Sequence, residues 1–249
     1  MFHPGLVSVS FRKLSCEELI KLTAESRLSC IEWGSDVHVP PGDAVHARSV
    51  EKMMADNGLF TSSYGSYFRA GVSDTDSFLK CVESCILLKA PTIRVWAGTL
   101  GPRQEKNRSA VAASLADCCE KAAQNALTVT LECHQGTLTE TEESALLLLR
   151  EVGHPALRLS WQPKVGGVEN ENSRYLASAV PYLETIHCYH RSNDNLCQAL
   201  DAGKDEWKHY FDIAAKSGRD IPVLLEFFKD DSVEQFKQDA AVLLEILNG

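Results

Sequence analysis

Strand-like and helix-like segments alternate eight times along the chain, and this repeat constrains the fold more than any other feature. Runs of apolar, β-branched and aromatic residues predict strands at 6–11, 30–34, 59–64, 92–97, 127–133, 156–162, 183–189 and 221–228. After each run, apolar residues recur every three or four positions, which predicts helices at 16–27, 44–57, 76–89, 106–125, 140–152, 172–181, 205–217 and 232–247. Ser15 with Glu18, and Thr139 with Glu142, have the spacing of capping boxes.

Eight β–α units in 249 residues are typical of a parallel sheet closed on itself. An open doubly wound sheet that binds a dinucleotide has G-x-G-x-x-G at its first strand–helix turn, but residues 12–15 here are Arg-Lys-Leu-Ser. The sequence also lacks a P-loop motif. We therefore predict an α/β protein with one domain, residues 1–249, folded as a single (β/α)8 TIM barrel.

The chain is acidic, with 25 Lys and Arg against 34 Asp and Glu and a formal net charge of −9. Proteins that bind nucleic acid or anionic membranes gather basic residues on one face, so we expect neither as a partner. The first residues lack the charged start and long apolar stretch of a secretory signal, and the nine cysteines are expected to be reduced. These features predict a cytoplasmic protein that acts on a small molecule. A homo-oligomer stays open.

Polar side chains cluster where the predicted strands end, which is where TIM barrels carry their active sites. Side chains alternate faces along a strand, so Glu132 and His134 fall on the inward face of the fifth strand, opposite Cys133. The same alternation places Glu226 inward on the eighth strand, together with Leu224 and Phe228. It also places His187 inward on the seventh strand and Gln162 inward on the sixth.

Inward carboxylates need a compensating cation, because removing them from water unpaired costs several kcal/mol. Arg94, on the fourth strand, is one candidate partner for Glu132 and Glu226. The other is a divalent metal ion, whose ligands would be Glu132, Gln162, His187 and Glu226. Such a set, rich in oxygen, suits Mn2+, Mg2+ or Co2+, and Zn2+ stays possible. The residues alone leave both partners open.

The same positions carry a family resemblance. With its Glu-x-His (Glu132, His134), its His-x-x-His-Arg (His187, His190) and Glu226, the chain resembles the xylose-isomerase-like TIM barrel superfamily of sugar isomerases and epimerases. The run at 32–43 is similar to its sugar-phosphate-isomerase-like branch. The resemblance implies one metal held by Glu, Asp, His and Glu. Gln162 departs from that pattern by replacing the aspartate, so we expect weaker metal binding.

Proton transfer at a carbon next to a carbonyl is the reaction that this resemblance implies. We expect a metal-dependent isomerase or epimerase of a sugar, sugar phosphate or keto-acid, with Glu132 and Glu226 removing and returning the proton through an enediolate. The residues expected to contact substrate are Glu32, His38, Tyr64, Arg94, Trp96, His134, Trp161, His190 and Arg191. The alternatives are a dehydratase that eliminates water from a keto-polyol, and a barrel that binds sugar without turnover.

Overall fold

Within the residues described by the computed structural model, 1–164, 168–192 and 194–249, eight parallel strands close into a barrel. These strands are β1 (Phe2–Val7), β2 (Cys30–Gly34), β3 (Phe60–Arg69), β4 (Thr92–Trp96), β5 (Thr128–Glu132), β6 (Leu157–Trp161), β7 (Leu183–Cys188) and β10 (Ile221–Leu225). A short antiparallel pair, β8 (His190–Arg191) and β9 (Cys197–Gln198), lies in the connection after β7.

Helices connect successive barrel strands and cover the outside of the barrel. They are α1 (Cys16–Glu25), α2 (Ala44–Asp56), α3 (Thr75–Leu87), α4 (Arg108–Ala123), α5 (Glu142–Val152), α6 (Glu169–Ala179), α7 (Lys204–Ala215) and α8 (Val233–Asn248). The barrel closes because β1 pairs in parallel with both β2 and β10. The predicted (β/α)8 TIM barrel is thereby confirmed.

The first strand and one helix start differ from the prediction. β1 begins at Phe2 rather than at residue 6, because it pairs with β10 from Phe2 onward, while Ser8–Phe11 forms a 3-10 helix. The capping box of Ser15 and Glu18 is confirmed. The second predicted box is wrong: Thr141 caps α5, and the hydroxyl of Thr139 instead donates to the Glu132 carbonyl oxygen.

The apolar core lies between the barrel and its helices. Trp161 on β6 is fully buried and packs edge-on against Trp207 and Tyr210 of α7. The Trp207 indole also donates a 3.0 Å hydrogen bond to the Tyr189 carbonyl oxygen, which fixes the chain just after β7. This packing holds the carboxyl end of β7 in place, and the polar side chains of the next section gather at that end of the barrel.

No helix among the described residues combines the length and the apolar character that a membrane span requires. All nine cysteines are free thiols, seven of them buried and Cys133 and Cys197 partly buried. The buried thiols lie among apolar neighbours, where they act as small hydrophobic side chains.

Trp207→Ala is expected to destabilise the barrel by about 3–5 kcal/mol, because it leaves a large cavity and removes the hydrogen bond to Tyr189. Urea unfolding followed by circular dichroism measures the change. Leu147→Ala, on an exposed face of α5, is the control and should change the stability by only about 0.5 kcal/mol. Equal losses in the two variants would contradict this account of the core.

Candidate active site

A cavity of about 1220 Å3 opens at the carboxyl ends of the barrel strands. Seven of the side chains expected there line it: Arg94, Trp96, Glu132, His134, Gln162, Arg191 and Glu226. They come from β4, β5 and the segments that follow β5, β6, β7 and β10, so the parallel sheet brings together residues far apart in sequence. This is the end of the barrel where a (β/α)8 fold presents functional groups.

Glu32 on β2 lies beneath the cavity and is completely buried. Its carboxylate accepts a 2.8 Å hydrogen bond from Arg94 Nε and a second bond from the Ser63 hydroxyl. Burial alone raises the pKa of a carboxyl group, but the charges of Arg94 and His187 outweigh it and hold the pKa of Glu32 well below its ordinary value. Glu32 is therefore a fixed negative charge inside the barrel.

His187 on β7 lies between two carboxylates. Its Nε2 is 3.6 Å from Glu32, and its Nδ1 is 3.3 Å from Glu226. Burial opposes charging of the imidazole, but the two carboxylates prevail and raise the pKa of His187 to about 10. At neutral pH the ring is an imidazolium that links Glu32 to Glu226.

Glu132 on β5 is surrounded by N–H donors. Arg94 Nη1 and Trp96 Nε1 both donate to its Oε2. Gln162 Nε2 lies 3.3 Å from Oε1 and donates a 2.6 Å hydrogen bond to the Cys133 carbonyl oxygen. Only the amide nitrogen can face that carbonyl oxygen, so the amide orientation of Gln162 is fixed and its NH2 group lies toward Glu132.

Glu226, directly after β10, has a different environment. It is only 6% exposed, yet it lines the cavity. Its Oε2 is buried and forms an ion pair with His187, whereas its Oε1 makes no hydrogen bond among the described residues. Of the two carboxylates predicted to be catalytic, Glu226 therefore has the freer oxygen, Oε1.

The four residues predicted to bind a metal ion are in contact as two pairs, Glu132 with Gln162 and His187 with Glu226. Among the described residues, no three His, Cys, Asp or Glu side chains are placed to hold a metal ion. The oxygens of Glu132 accept hydrogen bonds from N–H donors, and the amide nitrogen of Gln162 points toward Glu132. The His187 ring lies between two carboxylates. Neither ring nitrogen of His187 makes a hydrogen bond within the described part of the chain, and the same holds for Gln162 Oε1 and Glu226 Oε2. His187 Nδ1 and Glu226 Oε2 nevertheless lie 3.3 Å apart and form an ion pair.

Aromatic rings and cations form the rim of the cavity. The Arg69 guanidinium lies 4.0 Å above the Trp96 ring, and the His134 ring packs against Trp96 at 4.6 Å. Arg191, from β8, lies 4.4 Å above the Phe227 ring and donates to Asn195. These contacts fix the orientation of Trp96, His134 and Arg191 at the entrance.

Several side chains expected to contact substrate lie away from the cavity. Tyr64 is fully buried and donates to the Val39 carbonyl oxygen, and Trp161 packs outward on α7, because both lie on the face of their strand that meets the helices. His38 is buried beside the Leu14 carbonyl oxygen, and His190 lies 3.7 Å from Glu206. We correct these four expectations. Glu32 is likewise covered by its partners rather than open to the cavity.

Four aromatic residues line the cavity without having been predicted to contact substrate: Tyr67, Tyr175, Tyr189 and Phe227. Tyr67 and Phe227 have positive φ angles of 54° and 57°, which bulky residues rarely adopt. The turn at Phe227 also ends the strand alternation, so Phe228 packs outward on Phe236 of α8 instead of sharing the inward face of Glu226. Alternation alone gives no signal for such a turn.

Glu32→Gln is expected to destabilise the protein by about 3 kcal/mol at pH 7, because it leaves the buried Arg94 charge with one partner fewer. The pKa of Glu32 is lowered on folding, so its contribution is full above the ordinary value of 4.5 and disappears only as the pH falls through the lowered value. Urea unfolding at pH 7 and in progressively more acidic buffers measures both effects.

Glu151→Gln is the matched control, since Glu151 pairs with Arg108 at the surface. We expect a change of less than about 1 kcal/mol there. A Glu32→Gln variant as stable as this control would show that the buried carboxylate does not balance Arg94.

Comparison with known proteins gives matches over most of the chain. The family model of xylose isomerase-like TIM barrels matches residues 20–246. A 3-dehydroshikimate dehydratase from Bacillus anthracis is 29% identical over 171 residues, which are 63% of this chain and 60% of the relative. The chain thus aligns with less than two thirds of that relative's length.

Solved structures share the fold at low identity. The probable 3-DHS dehydratase AsbF of Bacillus anthracis superposes with a TM-score of 0.82 at 19% identity, over 98% of this chain and 99% of that one. A Mycobacterium smegmatis xylose isomerase-like protein in complex with magnesium gives 0.74 at 15%, over 98% and 96%. A Methylomonas D-allulose 3-epimerase gives 0.75 at 13%, over 98% and 97%. With its closed barrel and a family match from residue 20 to residue 246, the chain belongs to the xylose isomerase-like TIM barrel family.

Proposed function

We propose that this protein is an enzyme that removes a proton from a carbon next to a carbonyl group in a small sugar or keto-acid. Returning the proton to carbon gives the isomerase or epimerase reaction. The observation that carries the proposal is the carboxylate of Glu226, which lines the cavity: its Oε2 is buried against His187, while its Oε1 makes no hydrogen bond among the described residues. A general base needs such an oxygen within reach of the substrate.

The neighbours of Glu226 support its role as the base. His187 Nδ1 lies 3.3 Å from the buried Oε2, and Glu32 lies on the other side of the same ring. This contact holds the Glu226 carboxylate in position through Oε2 and leaves Oε1 for the substrate. Once Glu226 has taken the substrate proton, it can return that proton to a neighbouring carbon.

Glu132 differs from Glu226 because N–H groups of Arg94, Trp96 and Gln162 surround its oxygens. It is therefore a weaker candidate for the base, and we assign it to holding those donors and accepting a substrate hydroxyl. A single free carboxylate fits an isomerase that moves the proton on one face of the substrate. An epimerase needs a second proton donor on the opposite face, and His134, which also lines the cavity, is the candidate.

A dehydratase is the second candidate function. It is favoured by the similarity to the dehydratase from Bacillus anthracis. The first step is the same removal of a proton by Glu226. The reactions diverge afterwards, when the proton passes to a leaving hydroxyl instead of returning to carbon. No step in either reaction requires a second free carboxylate.

Incubation in D2O with a panel of ketoses, keto-acids and inososes tests the shared step. We expect deuterium to enter the carbon next to the carbonyl of at least one compound, detected by NMR and mass spectrometry. An isomer or epimer of unchanged composition identifies the first candidate, and loss of one water identifies the dehydratase. Binding of a sugar without exchange would instead select the non-catalytic barrel.

Glu226→Gln is expected to lower the exchange rate by about 100-fold or more, because the amide cannot accept the proton. The change keeps the side-chain volume, and thermal unfolding checks that the barrel remains folded. Glu184→Gln is the matched control, because Glu184 pairs with Arg219 at the opposite end of β7. Exchange that persists in Glu226→Gln at the rate of this control would refute the assignment of the base.

A further inference from the structure

We propose that the guanidinium of Arg94 takes the place of a divalent metal ion in this site. It would be the fixed positive charge that holds Glu132 and faces the carbonyl oxygen of the substrate. The inference rests on the proposed function for the substrate contact, whereas the exclusion of a metal ion stands on the geometry of the protein alone.

Arg94 occupies the centre of the charged residues. Its side chain is 4% exposed and bridges two carboxylates, with Nε on Glu32 and Nη1 on Glu132. Its Nη2 makes no hydrogen bond among the described residues, although the side chain lines the cavity. One arm of the guanidinium is therefore left to donate to a substrate oxygen.

Gly65 on β3 makes this placement possible. It lies in register with Gly34 of β2 on one side and Arg94 of β4 on the other. A Cβ at position 65 would come within 2.6 Å of Arg94 Nη2 and 3.2 Å of Glu32 Oε1. The missing side chain opens the gap through which Arg94 reaches across β3 to Glu32.

Gln162 removes the remaining requirement for a metal ion. An aspartate at this position would add another carboxylate beside Glu132 and Glu226, and a divalent ion would be needed to balance them. Glutamine is neutral, and its NH2 group adds to the donors around Glu132. Arg94 with Glu132, and His187 with Glu226, then form two ion pairs on either side of Glu32.

The chemical step balances without a metal ion. Glu226 takes the proton as the C–H bond breaks, and the electron pair forms a C=C bond while the carbonyl π electrons move to oxygen. The N–H groups of Arg94 donate to that enolate oxygen and keep their own protons, since a guanidinium does not give them up at physiological pH. In an isomerisation, Glu226 returns the proton to the neighbouring carbon while the hydroxyl proton passes from one enediolate oxygen to the other. In a dehydration, the proton leaves with the departing hydroxyl as water while the enolate electrons restore the carbonyl group. Both routes restore Glu226.

Calorimetric titration with Mn2+ tests the metal side of the proposal without any assay of activity. The wild-type protein, dialysed against chelator, should show no binding up to millimolar Mn2+. Gln162→Asp alone should also bind weakly, because Arg94 still holds Glu132. Arg94→Met combined with Gln162→Asp frees Glu132 and supplies a third carboxylate, so it should bind Mn2+ at least about tenfold more tightly than Gln162→Asp. One tightly bound Mn2+ in the wild type would overturn the proposal, as would equal affinities of the single and double variants.

Arg94→Lys provides the second test and keeps a positive charge inside the barrel if the double variant does not fold. Lysine cannot bridge Glu32 and Glu132 while presenting a third N–H group. With the substrate found in the D2O panel, kcat should fall about 100-fold with a smaller change in KM, and added Mn2+ should not restore it. Unchanged kcat in this variant, or its recovery with Mn2+, would refute the role of the guanidinium. If no compound in the panel exchanges, the proposed function fails, while the Mn2+ titrations still decide whether the site takes a metal ion.

Discussion

The carboxylate of Glu32 is fully buried inside the barrel, and the arrangement of the other charged side chains follows from it. A buried carboxylate without a partner would cost several kcal/mol, so cations must approach it. Arg94 approaches from β4 and His187 from β7. Each cation also pairs with a second carboxylate: Arg94 with Glu132, and His187 with Glu226. Negative and positive side chains thus alternate from Glu32, beneath the cavity, to Glu132 and Glu226, which line it.

This series holds three carboxylates and two cations, so one negative charge remains in excess at neutral pH. The excess is unevenly placed, because Glu132 accepts from several N–H donors, whereas Glu226 has His187 on Oε2 and, in the described part of the chain, no donor on Oε1. Two carboxylates that look equivalent in the sequence therefore have different environments. Their difference arises from the neighbouring strands: β4, next to β5, supplies Arg94 and Trp96 to Glu132, whereas β7, next to β10, supplies only His187 to Glu226.

The sequence predicts the fold and the inward-facing residues because both depend on local periodicity. Alternation along β5 is sufficient to place Glu132 toward the cavity, and the eightfold repeat is sufficient for the closed barrel. Trp161 is misplaced, although the same alternation turns it away from the inward face of Gln162 and toward Trp207 of α7. The burial of Tyr64 against the Val39 carbonyl oxygen depends instead on a tertiary contact. The positive φ of Phe227, which redirects Phe228, also has no local sequence signal.

The partner of the inward carboxylates could not be chosen from sequence, because an arginine on a neighbouring strand and a metal ion satisfy the same electrostatic need. The choice depends on whether Arg94 can reach Glu32, and that depends on the missing side chain of Gly65 on the strand between them. Gly65 carries no chemical group, so a search for functional residues passes over it. Its effect appears only when the strand register places it beside Arg94.

The order of strands around the barrel would also orient the proposed reaction. Going round from β10, the next strands are β7, β6, β5 and then β4, so β4 lies diametrically across the barrel from β10. Arg94 therefore faces the cavity from the side opposite to Glu226. A substrate held between them would direct its carbonyl oxygen toward β4 and its acidic C–H bond toward β10. Removing the proton at one wall while the charge develops at the other requires no movement of either side chain, so the rigidity of the closed barrel favours the reaction.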